Sequence, residues 1–273
     1  MQIALTIAGS DSGGGAGIQA DIKAMQAHGV FAASVITAVT AQNTVAVTDS
    51  FELPLEMIEA QIDAIFQDLA VSATKTGMLP SAAIIELVAR KLRERDVEPL
   101  VVDPVMISKS GFALLKADAI ETLKRELLPL ATVLPPNIHE AEALSGLKIR
   151  ELEDMRAAAK AIHDLGPSAV LVKGGHLEQN REAVDVLYDG RQFHNFVAPF
   201  IVTKNTHGTG CTYASAIAAN LARGFKLRES IARAKRYVTD AIRHGLSIGQ
   251  GYGPTHHFYY LEGFAGFPLG EGD

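Results

Sequence analysis

The chain has 273 residues, 48% of them hydrophobic and 21% charged, which excludes a largely disordered chain and supplies enough apolar surface for a sizeable core. A single Cys excludes an internal disulfide framework and fits a reducing compartment. With 25 Lys+Arg against 31 Asp+Glu there is no basic stripe of the kind nucleic acid attracts, and no apolar run reaches the roughly 18 residues that span a bilayer.

In chain order, residues 2–8 are apolar, lack a basic leader and run straight into Gly9-Ser10-Asp11, so they read as a first strand of a soluble, cytoplasmic protein. Residues 33–39, 71–75, 100–102, 132–134 and 169–172 read as further buried strands, being short, rich in Val and Ile and bounded by turn residues. Helical periodicity lies between and after them. Residues 55–69 place Leu55, Ile58, Ile62, Ile65, Phe66 and Leu69 on one stripe, and 81–95, 117–128, 151–165 and 230–245 behave alike, with Ser81 and Asp118 as N-caps. The basic stretch Arg90 to Arg95 falls on such a segment and reads as its solvated face. Strand–helix alternation with nearly all-apolar strands implies a parallel sheet covered on both faces. Residues 183–188 and 192–197 flank Asp189-Gly190 and read as an antiparallel hairpin. With no linker or repeat, residues 1–257 read as one domain and 258–273 as a Gly- and aromatic-rich tail.

Ligands of open parallel sheets bind beyond the carboxyl ends of the strands, so the residues following each strand matter most. After the first strand comes Gly9-Ser10-Asp11-Ser12-Gly13-Gly14-Gly15-Ala16-Gly17, which matches neither the dinucleotide fingerprint nor the P-loop: Ile18 stands where the third Gly would be, and no Lys follows. It is either a tight strand-to-helix turn or a close backbone approach to a ligand. Gln42 carries both donors and an acceptor, suited to a heteroaromatic edge or to an ordinary loop. Asp103 closes one strand. Asn137 and Glu140 have the spacing of a capping box, yet with Asp103 they also suit Mg²⁺ bound through water. Lys173, followed by Gly174 and Gly175, is placed to reach a phosphate. The segment Asn205-Thr206-His207-Gly208-Thr209-Gly210-Cys211-Thr212 leads into a small-residue helix at 213–222. Backbone N–H groups and the helix dipole there favour an anion, and the same field is expected to lower the pKa of Cys211, which otherwise reads as a small buried hydrophobe. The polar, Gly-containing loop Ser108-Lys109-Ser110-Gly111-Phe112 is expected to serve as a lid.

Taken together these blocks, with Val35 to Thr44, Lys75-Thr76-Gly77-Met78, Pro136 to Ala141 and Lys173-Gly174-Gly175-His176, resemble the ribokinase-like small-molecule kinases, and more closely the hydroxymethylpyrimidine and hydroxymethylpyrimidine-phosphate kinases of thiamin biosynthesis. The resemblance runs in order from about Ile3 to His257. It implies a three-layer αβα sandwich with a mostly parallel sheet and an antiparallel hairpin. It also implies transfer of the ATP γ-phosphate, first to the hydroxymethyl group and then to the monophosphate. By position, Gln42, Gly9, Asp21, Met78 and Val105 would bind the pyrimidine. Lys173, Thr206, Asn137, Glu140 and Asp103 would serve nucleotide phosphates and Mg²⁺, with Glu140 and Asp103 facing the metal. The Gly208 and Gly210 backbone would form an anion hole beside Cys211 as base. A homo-oligomer, taken as a dimer, is expected. A pyridoxal kinase of the same Cys-bearing branch and a non-catalytic pyrimidine- or nucleotide-binding regulator remain alternatives.

Overall fold

Burial is nearly unbroken along the central strands, whose side chains divide between two cores, and that sets the architecture. In the computed structural model, which describes residues 1–108, 111–116, 118–175 and 182–261, the chain runs β1 (Ile3–Asp11), α1 (Gly17–Ala27), β2 (Phe31–Gln42), β3 (Val47–Glu52), α2 (Leu55–Asp68), β4 (Val71–Thr76), α3 (Ala82–Glu94), β5 (Leu100–Val102), α4 (Ala119–Thr122), α5 (Ile138–Ser145), α6 (Leu152–His163), β6 (Val170–Lys173), β7 (Glu182–Tyr188), β8 (Phe193–Pro199), α7 (Thr209–Ala222) and α8 (Leu227–Arg243). Leu100 and Val102 of β5 face one core, with α2, α3, α5 and α6; Val101 faces the other, with α1, α7 and α8. Strands buried on both faces are what a parallel sheet between two helix layers requires, and the result is the expected three-layer αβα arrangement.

The strands order as β3-β2-β1-β4-β5, with β2, β1, β4 and β5 parallel and β3 antiparallel at the edge. The expected hairpin is present: β7 pairs antiparallel with both β6 and β8. Residues 132–134, read as a strand, form no strand of their own. They supply single parallel bridges, Val133 to Val101 and Leu134 to Val170, that join the two sheets edge to edge. Pro129, Pro135 and Pro136 flank this link, and a residue without an N–H cannot extend a ladder.

Other differences have local causes. Val47–Glu52 was legible neither as apolar nor as alternating, because Thr48, Asp49 and Ser50 are consecutive polar residues and Asp is a poor strand former; pairing to β2 makes it a strand. The helix read over 117–128 is one turn of α-helix followed by a π-helical turn (Leu123–Leu127) and a 3₁₀ turn (Leu128–Leu130) that contains Pro129. Neither Ser81 nor Asp118 caps its helix; the Ser81 hydroxyl donates instead to Glu52, at 2.7 Å. Lys109 and Ser110, the centre of the expected lid, and His176 lie outside the described residues, as do positions 262–273 of the tail; the Tyr260 hydroxyl at its start donates to the carbonyl of Ala27.

Helix α7 matters most for function. Its inward face is nearly all Ala (Ala214, Ala218 and Ala219 among others), packed over Ala4, Ala73, Val101 and Val133 of the sheet. Small side chains on both surfaces let the helix lie close, which brings its N-terminus to the carboxyl ends of the strands. Among the described residues no helix is long and apolar enough to cross a membrane.

Candidate active site

The Gly-rich loop after β1 is organised by one carboxylate. Asp11 accepts hydrogen bonds from the backbone N–H groups of Gly13 (2.8 Å), Gly15 (3.1 Å) and Ala16 (2.8 Å), and from Nε2 of His207 (2.9 Å). Burial works against the charge on Asp11, but the hydrogen bonds from His207 and the backbone outweigh it and hold the carboxyl below its ordinary range. At the end of this loop Gly17 has φ +56°, a left-handed conformation that favours glycine.

Of the expected ring-binding residues, Gly9, Met78 and Gln42 lie at this loop. A Cβ on Gly9 would lie 2.8 Å from Sδ of Met78, so the Gly9 backbone and the Met78 thioether are pressed together. Gln42 ends β2 with its backbone clamped from both sides by Ser12, whose Oγ receives the Gln42 N–H (2.8 Å) and donates to the Gln42 carbonyl (2.7 Å). Val105 lines a small cavity with Thr76, Gly77 and Asp103.

A second cluster forms beside it. Gly208 caps α7 with φ +77°, and a side chain there would collide with the carbonyl oxygen of Gly15. Thr206 holds the turn, its carbonyl accepting the Thr209 hydroxyl at 2.8 Å. The first-turn N–H groups of α7, which have no intrahelical acceptor, therefore open onto the strand ends. A Cβ on Gly210 would lie 3.7 Å from Nζ of Lys173 and 3.9 Å from Oδ2 of Asp103, so a bare backbone faces both charges. Nζ of Lys173 is 3.5 Å from Oδ1 of Asp103. Asn137 is bridged to Lys173 and forms the full capping box with Glu140, so the capping reading of that pair holds. Burial, reinforced by Asp103 and opposed by Lys173, pushes the Glu140 carboxyl above its ordinary range.

Asp103 Oδ2 is buried and accepts no hydrogen bond. A bare, dry carboxylate oxygen beside a second carboxylate fits a hard divalent cation. No group of three or more His, Cys, Asp or Glu side chains with metal-ligand geometry occurs among the described residues, so such an ion would draw most of its shell from water and ligand oxygens.

Two expectations are corrected. Asp21 does not face the pocket: it is fully buried and accepts from Lys75 Nζ (2.9 and 3.0 Å), the Thr6 hydroxyl (2.6 Å) and the Ser215 hydroxyl (2.7 Å). Four hydrogen bonds from three partners leave it nothing to offer a ring. The Cys211 thiol is not lowered either. Burial pushes it up to about 12, opposed by Lys75 and by the Gly17 N–H and reinforced by Asp21 and Asp103. The helix-terminus field is real, but desolvation and two nearby carboxylates exceed it.

Sequence reasoning assigned no role to Lys75, Asp185, Asp11 or His207. Lys75 is completely buried, and its pairing with Asp21 keeps it charged. Asp185 accepts from Lys235 (2.7 Å) and from the Gly174 N–H (3.1 Å), steadying the turn after Lys173. A lone charge inside an apolar strand was the available signal for both Lys75 and Asp185, since such a charge needs a buried partner.

The profile of the phosphomethylpyrimidine kinase family matches residues 11–256. The chain belongs to that family. It is 48% identical to the hydroxymethylpyrimidine/phosphomethylpyrimidine kinase of Bacillus subtilis over 257 residues, covering 94% of this chain and 95% of that one. It is 52% identical over 258 residues to the thiamine biosynthesis bifunctional protein ThiED of Geobacter sulfurreducens, covering 94% of this chain but about half (52%) of that longer protein. Among solved structures, the ADP complex of Bacillus subtilis pyridoxal kinase superimposes with a TM-score of 0.87 at 41% identity, covering 94% of this chain and 97% of that one. The fold is thus the ribokinase-like one.

Two measurements check this geometry. Lys75→Met strands the Asp21 carboxylate in a dry site and is expected to cost about 3–5 kcal/mol in chemical denaturation, with Asp21→Asn in the same chain recovering much of the loss; full additivity of the two would contradict the pairing. At about pH 8 the Cys211 thiolate fraction is roughly a thousandfold below that of an ordinary thiol, only partly offset by higher nucleophilicity. Iodoacetamide is expected to label Cys211 tens of times more slowly than a free thiol, at a rate still rising above about pH 10; a plateau near pH 9 would show an unperturbed thiol.

Proposed function

We propose that this protein transfers the γ-phosphoryl group of ATP to the hydroxymethyl oxygen of 4-amino-5-hydroxymethyl-2-methylpyrimidine, and then transfers a second one to the phosphate of the resulting monophosphate, as a step of thiamin biosynthesis. The observation that carries the reading is the meeting of Lys173, Asp103 and the bare Gly210 backbone at the N-terminus of α7, within one end of a sheet that also gathers Gly9, Met78 and Gln42. Family membership and the ADP-bound neighbour support ATP as the co-substrate.

Phosphoryl transfer asks a protein for alignment and for charge compensation more than for covalent chemistry. Lys173 and the α7 amides compensate phosphate charge, and the amides sit where charge builds during transfer. Asp103 and Glu140 would hold Mg²⁺, largely through water, and the ion would neutralise phosphate oxygens. Met78 and Gly9 exclude water from the ring side. Cys211, in the first turn of α7 beside the Gly210 backbone, would face the acceptor hydroxyl. In the first reaction the hydroxyl oxygen attacks phosphorus, ADP leaves, and the hydroxyl proton passes to Cys211 in its minor thiolate form. The raised thiol affinity makes Cys211 a strong acceptor once deprotonated. In the second reaction the acceptor is a phosphate, largely ionised near neutral pH, and needs no base. Small molecules are the only partners in this reading, and the protein works as a dimer.

The deciding assay offers hydroxymethylpyrimidine, its monophosphate and pyridoxal separately with ATP and Mg²⁺, with products identified by mass. The pyrimidine diphosphate is the expected product. Pyridoxal phosphate with little pyrimidine product would favour the pyridoxal kinase reading, which the structural neighbour supports. Turnover of none would favour the regulator. Cys211→Ala is expected to slow the first phosphorylation at least tenfold more than the second, in line with the loss of a general base; equal loss of both would remove the thiol from proton transfer.

A further inference from the structure

The donors and acceptors around Gln42 favour one arrangement. His207 is buried, and its Nε2 lies 2.9 Å from Oδ2 of Asp11 and 3.4 Å from Nε2 of Gln42. An ionised carboxylate only accepts, so Nε2 of His207 must carry a proton and donate it to Asp11. The amide NH₂ of Gln42 would then meet another N–H. On its other side, the carbonyl of Gln42 lies 3.1 Å from the Thr40 hydroxyl, which is also 3.0 Å from the carbonyl of Ser10. The one Thr40 proton would then be split between two oxygens, a weaker arrangement than one full bond. Turning the Gln42 amide over resolves both conflicts. The carbonyl then shares the imidazole proton with Asp11, the NH₂ donates to the Thr40 oxygen, and the Thr40 proton goes to Ser10.

We infer that His207, itself held by Asp11, is a positioning residue that fixes which way the Gln42 amide faces, and so which edge of a ring the pocket accepts. Oriented in this way, Gln42 keeps one carbonyl lone pair and one N–H for a ligand, in a fixed order along the pocket. The complementary ligand is a heteroaromatic ring with an exocyclic amine next to a ring nitrogen, whose donor and acceptor lie side by side. The inference rests on the reading of Gln42 as the ring-binding residue. Proximity explains how one side chain serves two sites. His207 immediately precedes Gly208, and a side chain on Gly15 would strike the His207 imidazole, so the residue lies between the ring pocket and the anion hole.

A double-mutant cycle separates these roles. His207→Phe keeps the bulk and removes the donor. It is expected to raise KM for hydroxymethylpyrimidine by about three- to tenfold, the range of one lost hydrogen bond, with kcat and KM for ATP within about twofold. His207→Gln, which restores an N–H near the same place, is expected to recover most of the loss. In a Gln42→Ala background the His207→Phe effect on the pyrimidine KM should vanish. Additive effects, or a loss confined to kcat and to KM for ATP, would overturn the inference and make His207 a support of the anion hole alone. A Gln42→Ala variant with unchanged pyrimidine KM would instead overturn the ring-binding reading itself, which the single variant shows independently. Should His207→Phe fail to fold, Asp11→Asn runs the same cycle, with a smaller expected change in KM and the same non-additivity.

Discussion

The carboxylate of Asp21 is the interaction on which the functional end of this fold depends. It sits on α1, and its partners come from three other elements: Thr6 on β1, Lys75 on β4 and Ser215 on α7. A carboxylate taken out of water is tolerated only when its lone pairs are filled, and here each oxygen receives two donors. Every one of those elements is then held in register with the others at the depth of the site. Both members of the Asp21–Lys75 pair also bear on Cys211: the Lys75 charge lowers its proton affinity and the Asp21 charge raises it. Asp21 therefore acts on the chemistry at one remove, through the lysine it retains and the helix it anchors.

Close approach of backbones is the second constraint. The loop after β1 and the turn before α7 interlock at Gly15 and Gly208, and a side chain at either position would collide with the other segment. Asp11 and His207 fasten the same junction from the side with a 2.9 Å hydrogen bond. One loop serves the expected ring pocket and the other the expected anion hole, so the packing that excludes side chains at this seam also places acceptor and phosphates next to one another.

The charges around the site are not balanced in the protein by itself. Asp103, Glu140 and Asp21 surround Lys75 and Lys173; burial, reinforced by carboxylate neighbours, raises the Glu140 carboxyl and the Cys211 thiol, and one Asp103 oxygen has no donor. In the proposed reading such a site would accept a cation that arrives with its ligands. A fold selected for stability alone would have replaced some of these carboxylates with neutral groups.

The sandwich, the hairpin and nearly all the helices were legible in the chain because burial on a strand or helix face imposes a period that a single sequence carries. The Gly-rich loop, Asp103, the Asn137–Glu140 capping box, Lys173 and the Gly208–Cys211 turn were legible too, because strand ends and helix starts need particular residue types. Three features were decided only in three dimensions. Asp21 and Lys75 are 54 positions apart, and only the packing of α1 against the sheet beside β4 turns two polar residues into one buried pair. The direction of the Cys211 shift depended on desolvation and on two carboxylates from elsewhere in the chain, whereas the helix terminus visible locally argued the opposite. His207 and Asp11, separated by 196 positions, meet because α7 packs its Ala face tightly on the sheet. Local pattern determines which elements form and where their ends lie; the solvation and partners of a charge depend on what the rest of the chain folds against it.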